Sequence, residues 1–446
     1  MQFNIQGKDV KDMTKEELYQ SYTDILKEEL IPAMGCTEPI AIAYCAAVAR
    51  KHLGCRPDKV IVRASGNIIK NVKSVIVPNT NGLKGIPAAA FAGIIAGNAD
   101  KSLEVISDVA ESIKPEIASA LNTIPCDVVL LDDGAIFDII IELYNASDCV
   151  KVRITDYHTN IVLIAINDDI ILNKTVSHAA NACEPAAPSE SNLTDRSLLN
   201  VKEIVEFADE TDLAEVMDIL KRQIEYNTAI SEAGLNGDFG ANVGRVLLDT
   251  YGNDIKIRAR AKAAAGSDAR MNGCELPVII NSGSGNQGIT ASVPVIEYAK
   301  ELKVSEEKLY RALLVSNLIT IHLKTGIGRL SAYCGVVSAG CGAGAGIAYL
   351  HGGDFKAIAH TIVNALAIVS GIVCDGAKAS CAGKISSAVD AGILGYFMYT
   401  RGNQFRGGDG IITKGVENTI KNVGHLGREG MKETDKEILK IMLDEV

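Results

Sequence analysis

The first regular pattern along the chain is helical. Apolar side chains recur every three or four positions between residues 14 and 30, as on the buried face of an amphipathic helix: Leu18, Tyr22, Ile25, Leu26 and Leu30. Thr14 and Glu17 have the spacing of a capping box, which marks a helix start. Residues 40–53 form a second, more apolar run that ends at Gly54 with bases in its last turn, so we predict a second helix there.

From about residue 60 the pattern changes to short runs rich in valine and isoleucine, which are typical of strands. Helical spacing returns only at residues 87–97 and 101–122. Strands are predicted at residues 60–65, 72–77, 127–131, 136–144, 149–156 and 161–172. Turn residues separate the later runs, so we predict hairpins within a mixed α/β unit.

Residues 173–198 contain prolines and serines and few apolar groups, which is typical of a linker. Beyond them the pattern is helical almost to the end and rich in alanine and glycine, which allows helices to pack closely. We therefore predict an α+β fold, in which a helical bundle carries an inserted mixed α/β domain. Residues 1–57 would join the bundle, residues 58–190 would form the insertion, and residues 191–446 would form the catalytic helical domain.

The amino-acid composition limits the classes of molecule that the protein is expected to bind. The chain has 44 basic and 55 acidic residues, a net charge of −11 and no basic run that could follow a phosphate backbone, so we expect no nucleic acid. The apolar stretch 357–373 carries His360 and Asn364 on one face, which indicates a buried helix and no membrane partner. Eleven cysteines without a disulfide pattern, and a polar start, indicate the cytoplasm. The expected partner is a small molecule, and a homodimer is left open.

Three cysteines in glycine-rich surroundings carry the main chemical signal: Cys334, Cys374 and Cys381. Thiolates bind zinc or iron–sulfur clusters, and a centre with only three protein ligands keeps one position free for substrate. Free cysteines also pack as small apolar residues, and this interpretation has about equal weight. Spacing alone leaves the third ligand open, because Cys341 and Cys274 are alternatives to Cys334.

A second signal is the segment Gly35-Cys36-Thr37-Glu38-Pro39 directly before an apolar helix. Cys36 would lie at the positive end of the helix dipole, which lowers a thiol pKa and favours the thiolate as base or nucleophile. The alternative is that the segment merely starts a helix.

Three polar segments could contact a ligand. Residues 281–288 form a loop rich in glycine and amides, whose backbone N–H groups suit a carboxylate or a phosphate. Residues 156–160 and 65–67 interrupt strand-like runs, and a simple turn is the competing interpretation. The candidate residues are Ser282, Gly283, Ser284, Gly285, Asn286, Gln287, Ser65, Asn67, His158, Thr159 and Asn160.

Taken together, residues 35–39, residues 281–288 and the three cysteines resemble the L-cysteine desulfidase family, relatives of the iron–sulfur L-serine dehydratase alpha chain. The resemblance implies a 4Fe-4S cluster held by Cys334, Cys374 and Cys381, with one iron left for substrate. It implies a lyase that cleaves L-cysteine to hydrogen sulfide, ammonia and pyruvate without pyridoxal phosphate. Cys36 aligns with the family's catalytic cysteine, and L-serine stays an alternative substrate.

On this hypothesis the loop 282–288 holds the substrate carboxylate, and the 158–160 and 65–67 segments reach in from the α/β unit to a pocket between domains. Three other classes remain. A pyridoxal-phosphate lyase would use Lys262 and the glycine-rich run 340–346. A non-catalytic redox carrier would use Cys341 as a fourth ligand, and a helical protein with packed cysteines would bind no metal.

Overall fold

The computed structural model describes residues 13–131, 135–174 and 193–443. Within them the chain is mainly helical with one mixed sheet, which confirms the predicted α+β class with a helical bundle. The helices are α1 Lys15–Glu29, α2 Thr37–Leu53, α3 Gly66–Val72, α4 Gly85–Ala96, α5 Lys114–Thr123, α6 Val201–Glu210, α7 Met217–Asn236, α8 Val243–Tyr251, α9 Ile255–Met271, α10 Gly285–Leu302, α11 Glu306–Ile327, α12 Gly335–Leu350, α13 Phe355–Val369, α14 Cys381–Thr400, α15 Val416–His425 and α16 Lys432–Leu443. The strands are β1 Pro32–Met34, β2 Lys59–Ser65, β3 Cys126–Leu131, β4 Asp138–Asn145, β5 Asp148–Thr155, β6 Ile161–Ile166, β7 Asp169–Asn173 and β8 Pro277–Ile279.

Six strands form the main sheet in the order β3-β2-β4-β5-β6-β7. Only β2 and β3 run parallel, because a helical crossover joins them, whereas β4 to β7 form the predicted antiparallel hairpins. One face of the sheet packs on α2, which in turn packs on α4. The two helices approach closely at Gly93, where a Cβ would lie 2.0 Å from the carbonyl oxygen of Ala43.

Two local predictions in the α/β unit are wrong. Residues 72–77 do not form a strand: α3 occupies Gly66–Val72, and only an isolated bridge joins Ile76 to Lys84. Residues 101–122 do not form one helix, because a 3₁₀ turn at Ala99–Glu104 is followed by α5, with Pro115 in the first turn of α5. Proline suits a helix start and breaks a helix interior, so it divides this stretch. Residues 175–192 of the predicted linker lie outside the described residues.

The bundle is built from α7 and α9 to α14, which contact one another through small residues. At the crossing of α12 and α14, a Cβ on Gly344 would lie 2.7 Å from the Cα of Gly392. The run 357–373 is largely the helix α13, and Asn364 on it is buried and bonds the backbone of the bundle. Throughout residues 13–131, 135–174 and 193–443, no helix is long and apolar enough to cross a membrane.

Candidate active site

A two-stranded ladder brings the Cys36 segment beside the amide-rich loop. β1 pairs antiparallel with β8, with Pro32 opposite Ile279 and Met34 opposite Pro277. Cys36 follows β1 directly and the loop 281–284 follows β8, so the two segments emerge next to each other. The hydroxyl of Thr37 donates a hydrogen bond to the carbonyl oxygen of Gly283 at 2.9 Å, which fixes their relative position.

Cys334 and Cys374 are brought together by a second backbone pairing. Tyr333 and Val373 form an isolated antiparallel bridge, and the Cys374 amide donates to the carbonyl oxygen of Ala332 at 2.6 Å. Residues that flank a bridge on the same face are diagonal neighbours, so both thiols point to one side. They share a hydrogen bond that lowers the pKa of Cys374 to about 5, with the charge of Lys70 also contributing, and raises the pKa of Cys334.

Cys381 completes the group. It is the first residue of α14, and electrostatic interactions link it to both Cys334 and Cys374. Cys381 also packs against the small apolar cluster that contains Cys36. Four cysteines therefore surround one region, and three of them lie at helix starts: Cys36 precedes α2, Cys334 precedes α12, and Cys381 opens α14. The positive ends of three helices favour negative charge there.

Cys341 lies elsewhere. It is seven residues after Cys334 on α12, which corresponds to about 10 Å along a helix axis. The side chain is fully buried, and burial alone raises its pKa. Cys341 is therefore a packed core residue.

Three lysines surround the cysteine group. Lys70 is buried, ion-pairs with Asp435 and donates to the carbonyl oxygen of Cys374 at 3.4 Å. Lys384 ion-pairs with Asp375 and feels the charges of Cys334 and Cys381. Lys324 has no ion pair with any carboxylate of the described residues and is only 5% exposed. Burial lowers its pKa to about 8, while the negative charges of Cys374 and Cys334 oppose that shift.

Cys36 is a buried thiol in this environment. Its Sγ donates to Oε2 of Glu38 at 3.2 Å. Burial first, and then the charge of Glu38, raise the pKa of Cys36 well above its ordinary value, while Arg270 opposes them. The prediction that the helix start lowers the pKa of Cys36 is wrong, because burial of the thiol raises the pKa by more than the helix dipole lowers it. Glu38 is itself buried and also accepts hydrogen bonds from Thr37 and Asn71.

His158 reaches the amide-rich loop from the β5–β6 hairpin. It is buried, stands edge-on to Phe137 at 4.7 Å, and would lie 3.0 Å from a Cβ on Gly283. Burial lowers the pKa of His158 to about 4, so the imidazole is neutral, and its Nε2 has no hydrogen-bond partner in the structure. The backbone carbonyl of Thr159 accepts a hydrogen bond from the Ile161 amide within the hairpin turn, and the Asn160 side-chain amide donates to the carbonyl oxygen of Thr155.

The amide-rich loop forms a tight turn before α10. Ser282 and Gly283 have positive φ, and the backbones of Asn281 and Ser284 bond each other. Beyond the turn, Gly285 lies against the guanidinium of Arg270, and Asn286 accepts a hydrogen bond from it at 3.1 Å. Gln287 packs against Gly335, directly after Cys334, and its Oε1 is buried without a partner. The loop therefore connects the Cys36 side of the site with the Cys334 side.

A cleft of about 1690 Å³ lies beside these groups, between the sheet, the loop after α11 and the C-terminal helix α16. Ser65, Asn67, Lys70 and Asn160 line it. The Ser65 hydroxyl donates a hydrogen bond to the carbonyl oxygen of Ile136, whereas Oδ1 of Asn67 is buried without a partner. Lys70 connects this cleft with the cysteine group, because it lines the cleft and also donates to the carbonyl oxygen of Cys374.

Sequence reasoning missed six residues that this geometry includes: Glu38, Lys70, Asn71, Arg270, Lys324 and Lys384. Glu38 stood in the segment that was interpreted through Cys36, so its signal was present. The other five lie on α3, α9, α11 and α14, and only the structure shows that they meet at the site, four of them buried.

Comparison with known proteins identifies the family. The model of the serine dehydratase alpha chain matches residues 100–440. The chain is 65% identical to a UPF0597 protein of Desulfitobacterium hafniense (strain Y51), over 97% of this chain and 98% of the relative. It is also 52% identical to a UPF0597 protein of Lachnoclostridium phytofermentans over 96% and 100% of the two chains, and 50% identical to one of Treponema denticola over 95% and 98%.

The chain belongs to the serine dehydratase alpha chain family. Membership indicates a lyase, and the family is typically associated with iron–sulfur clusters. The described residues contain no group of three or more His, Cys, Asp or Glu side chains close enough to hold a single metal ion. Cysteines that hold a cluster bind separate irons, so their spacing is wider than around one ion.

The donor set of this serine dehydratase alpha chain relative fits such a cluster. Cys334, Cys374 and Cys381 are soft ligands that share one region, and the hydrogen-bonded pair already contains one thiol of lowered pKa. The buried ammonium of Lys324 and the three helix starts offset the negative charge that thiolates bring.

Proposed function

We propose that the protein is an L-cysteine desulfidase, a lyase that converts L-cysteine to hydrogen sulfide, ammonia and pyruvate without pyridoxal phosphate. The observation that carries the proposal is the convergence of Cys334, Cys374 and Cys381 next to Cys36. Buried polar atoms without partners, on His158, Gln287 and Asn67, border the same region and suit a polar ligand.

Cys334, Cys374 and Cys381 would hold a 4Fe-4S cluster. When bound, such a cluster would supply Lewis acidity toward the sulfur of the leaving group. The chain's own part is to supply three soft ligands and to surround them with positive charge from Lys70, Lys324 and Lys384.

Proton transfer falls to Cys36 and its neighbours. Cys36 would take the α-proton of the substrate, and Glu38, 3.2 Å from its Sγ, would receive the proton that the thiol now holds. Thr37 and Asn71 keep the Glu38 carboxylate in place. His158 is a neutral imidazole whose Nε2 has no partner, so it can contact the substrate, and the proton that the departing sulfide needs would return from the protonated Glu38.

The substrate would lie along the loop of Ser282, Gly283, Ser284, Gly285, Asn286 and Gln287. This loop touches the Cys36 segment through Thr37 and borders Cys334 through Gln287, so it spans the distance between base and leaving group. Ser65, Asn67 and Asn160 line the cleft and would act from that side, where Asn67 offers a carbonyl oxygen without a partner, and Thr159 would act from the hairpin beside His158. Elimination leaves 2-aminoacrylate, which hydrolyses to pyruvate and ammonia in water.

L-serine dehydration is the second candidate, and the matched family description favours it. The two reactions differ only in the leaving group, a thiolate or a hydroxide. Nothing in the positions of Cys36 or the loop separates them, so parallel assays with both substrates decide.

Two other classes receive less support. The Lys262 ammonium that a pyridoxal-phosphate enzyme would need is ion-paired with Glu232 and Glu297. Its supposed phosphate cradle, residues 340–346, lies inside the packed helix α12. A redox carrier would need Cys341 as a fourth ligand, and that residue is two turns along α12 from Cys334.

The test is anaerobic purification, quantitation of iron and acid-labile sulfide, and parallel pyruvate assays with L-cysteine and L-serine. The proposal expects about four irons per chain and faster pyruvate release from L-cysteine. Faster release from L-serine would assign the dehydratase. A protein that binds no iron after anaerobic purification and reconstitution would refute both candidates.

A further inference from the structure

The guanidinium of Arg270 is a buried charge that makes no ion pair with any carboxylate of the described residues. The residue lies in the last turn of α9 and is only 2% exposed. Its Nη1 donates a hydrogen bond to Oδ1 of Asn286, a neutral acceptor, and its Nε–H is buried without a partner among the described residues. Burying a cation without an anion is costly, so such a group signals an anion that binds there.

The location of Arg270 identifies the kind of anion. Arg270 packs against the turn into α10, where a Cβ on Gly285 would lie 2.3 Å from Nε, so glycine is needed for this approach. Its positive charge opposes the rise in the pKa of Cys36 and adds slightly to the fall in the pKa of His158, which burial dominates, so Arg270 lies within electrostatic reach of both groups. An anion held by Arg270 therefore lies beside the atoms at which the proposed elimination begins.

The other unpartnered atoms around the site have the opposite character. Oε1 of Gln287 and Oδ1 of Asn67 are buried acceptors that need a donor, whereas Nε–H of Arg270 is a donor that needs an acceptor. A zwitterionic α-amino acid offers both: its carboxylate accepts and its ammonium donates. A guanidinium is also the side chain best suited to a planar carboxylate.

We propose that Arg270 is the anchor of the substrate's α-carboxylate, and that the site accepts only α-amino acids in which this carboxylate is free. The inference rests on the proposed function, because it takes the ligand to be the amino acid that is cleaved. It assigns the fixed positive charge to Arg270 and leaves the loop amides of residues 282–287 as neutral contacts.

The experiment compares an α-amino acid with its carboxamide. L-alanine has no leaving group, so its binding can be measured by calorimetry at pH 7 without turnover, beside L-alaninamide, which lacks the carboxylate. The wild type should prefer L-alanine, and Arg270→Gln should lower the affinity for L-alanine about 100-fold while leaving that for the amide nearly unchanged. Arg270→Lys, which keeps the charge but loses the planar fork, should recover part of the preference.

Arg260→Gln is the matched control. Arg260 lies on the same helix, and its ion pair with Asp390 is away from the loop, so this variant should bind L-alanine as the wild type does. Iron content and circular dichroism are measured on every variant. The inference is overturned by an Arg270→Gln protein that has native iron and still prefers L-alanine over the amide. It is also overturned if Arg270→Gln and Arg270→Lys both lose their iron and their fold together with binding.

The carboxylate anchor and the proposed lyase activity are tested by different measurements, so either one can fail alone. Carboxylate preference that depends on Arg270, in a protein that releases no pyruvate from L-cysteine or L-serine, would keep the anchor and refute the lyase. Pyruvate release with a preference that is independent of Arg270 would keep the lyase and refute the anchor.

Discussion

The thiol of Cys36 donates a hydrogen bond to the carboxylate of Glu38, with 3.2 Å between Sγ and Oε2. The two residues are two positions apart at the start of α2, and both are buried. Burial and the Glu38 charge keep the Cys36 thiol protonated, and the hydrogen bond to Glu38 provides a route by which its proton can leave. The pair is therefore a candidate for the proton-transfer machinery of the site.

Replacing Glu38 by Gln tests this pair. The amide keeps the size and most hydrogen bonds but cannot accept a proton, so we expect pyruvate formation to fall about 100-fold or more. The measurement is the steady-state rate with L-cysteine, with iron content as the reference for an intact site. A variant with native iron and native rate would show that Glu38 takes no part in proton transfer.

Cys36→Ala is expected to abolish pyruvate release while iron and labile sulfide stay near the wild-type level. The reason is that Cys36 faces the cysteine group through apolar packing with Cys381, and a catalytic thiol is not needed to retain the cluster. Iron and sulfide assays on the anaerobically purified protein check this. Loss of the cluster in this variant would instead make Cys36 a ligand.

The metal ligands are tested by a matched pair of cysteine variants. Cys374→Ala should lower the iron content and bleach the visible absorbance, because it removes one of three soft ligands. Cys341→Ala removes the fully buried sulfur of α12 and should keep the iron, at a stability cost on the order of 1 kcal/mol. Equal iron contents in the two variants would remove Cys374 from the ligand set.

Lys324 should tune the cluster through its charge. We expect Lys324→Met to lower the midpoint potential by roughly 40–90 mV, which corresponds to the loss of about 1–2 kcal/mol of electrostatic stabilisation of the reduced state. A redox titration monitored by electron paramagnetic resonance measures the shift. Lys356→Met on α13, a residue that lies at a separate pocket, is the control and should leave the potential unchanged. A shift of the same size in the control would show that the effect is not specific.

His158 should make the stability of the fold depend on pH. Burial lowers its pKa in the folded protein to about 4, from 6.5 for an ordinary histidine, so the unfolded chain binds more protons between these values. Stability is therefore unaffected above pH 6.5 and falls as the pH drops, by up to about 3 kcal/mol near pH 4. Urea unfolding at pH 7.5 and 4.5 measures the loss, which should be smaller in His158→Gln. An identical loss in both proteins would assign the dependence to other groups.

The sequence indicated the chemistry of the site better than its geometry. The helix start at Cys36 and the hairpins of β4 to β7 follow from local patterns, and the structure has them. The pairing of Tyr333 with Val373, which sets Cys334 beside Cys374, joins residues 40 positions apart and leaves no periodic trace in the chain. That Cys334, Cys374 and Cys381 bind a cluster stays a prediction from the sequence.

The errors in the α/β unit have tertiary causes. Residues 72–77 have the apolar content of a strand, yet Gly66 opens a helix because α16 packs onto that point: a Cβ on Gly66 would lie 2.4 Å from a Leu439 methyl carbon. That contact spans most of the chain length. Buried charges such as Arg270 and Lys324 were missed for a related reason, since a lone base in a helical stretch is usually solvated.

The backbone bridge between Tyr333 and Val373 also has a consequence for biogenesis. The three cysteines at positions 334, 374 and 381 come together only after α12, α13 and the start of α14 have been synthesised and have docked. In a nascent chain that lacks this docking, their thiols are far apart and cannot bind one ligand together. If the three cysteines hold the proposed cluster, iron and sulfide can bind only after that docking, and a variant in which docking is slow should acquire them late.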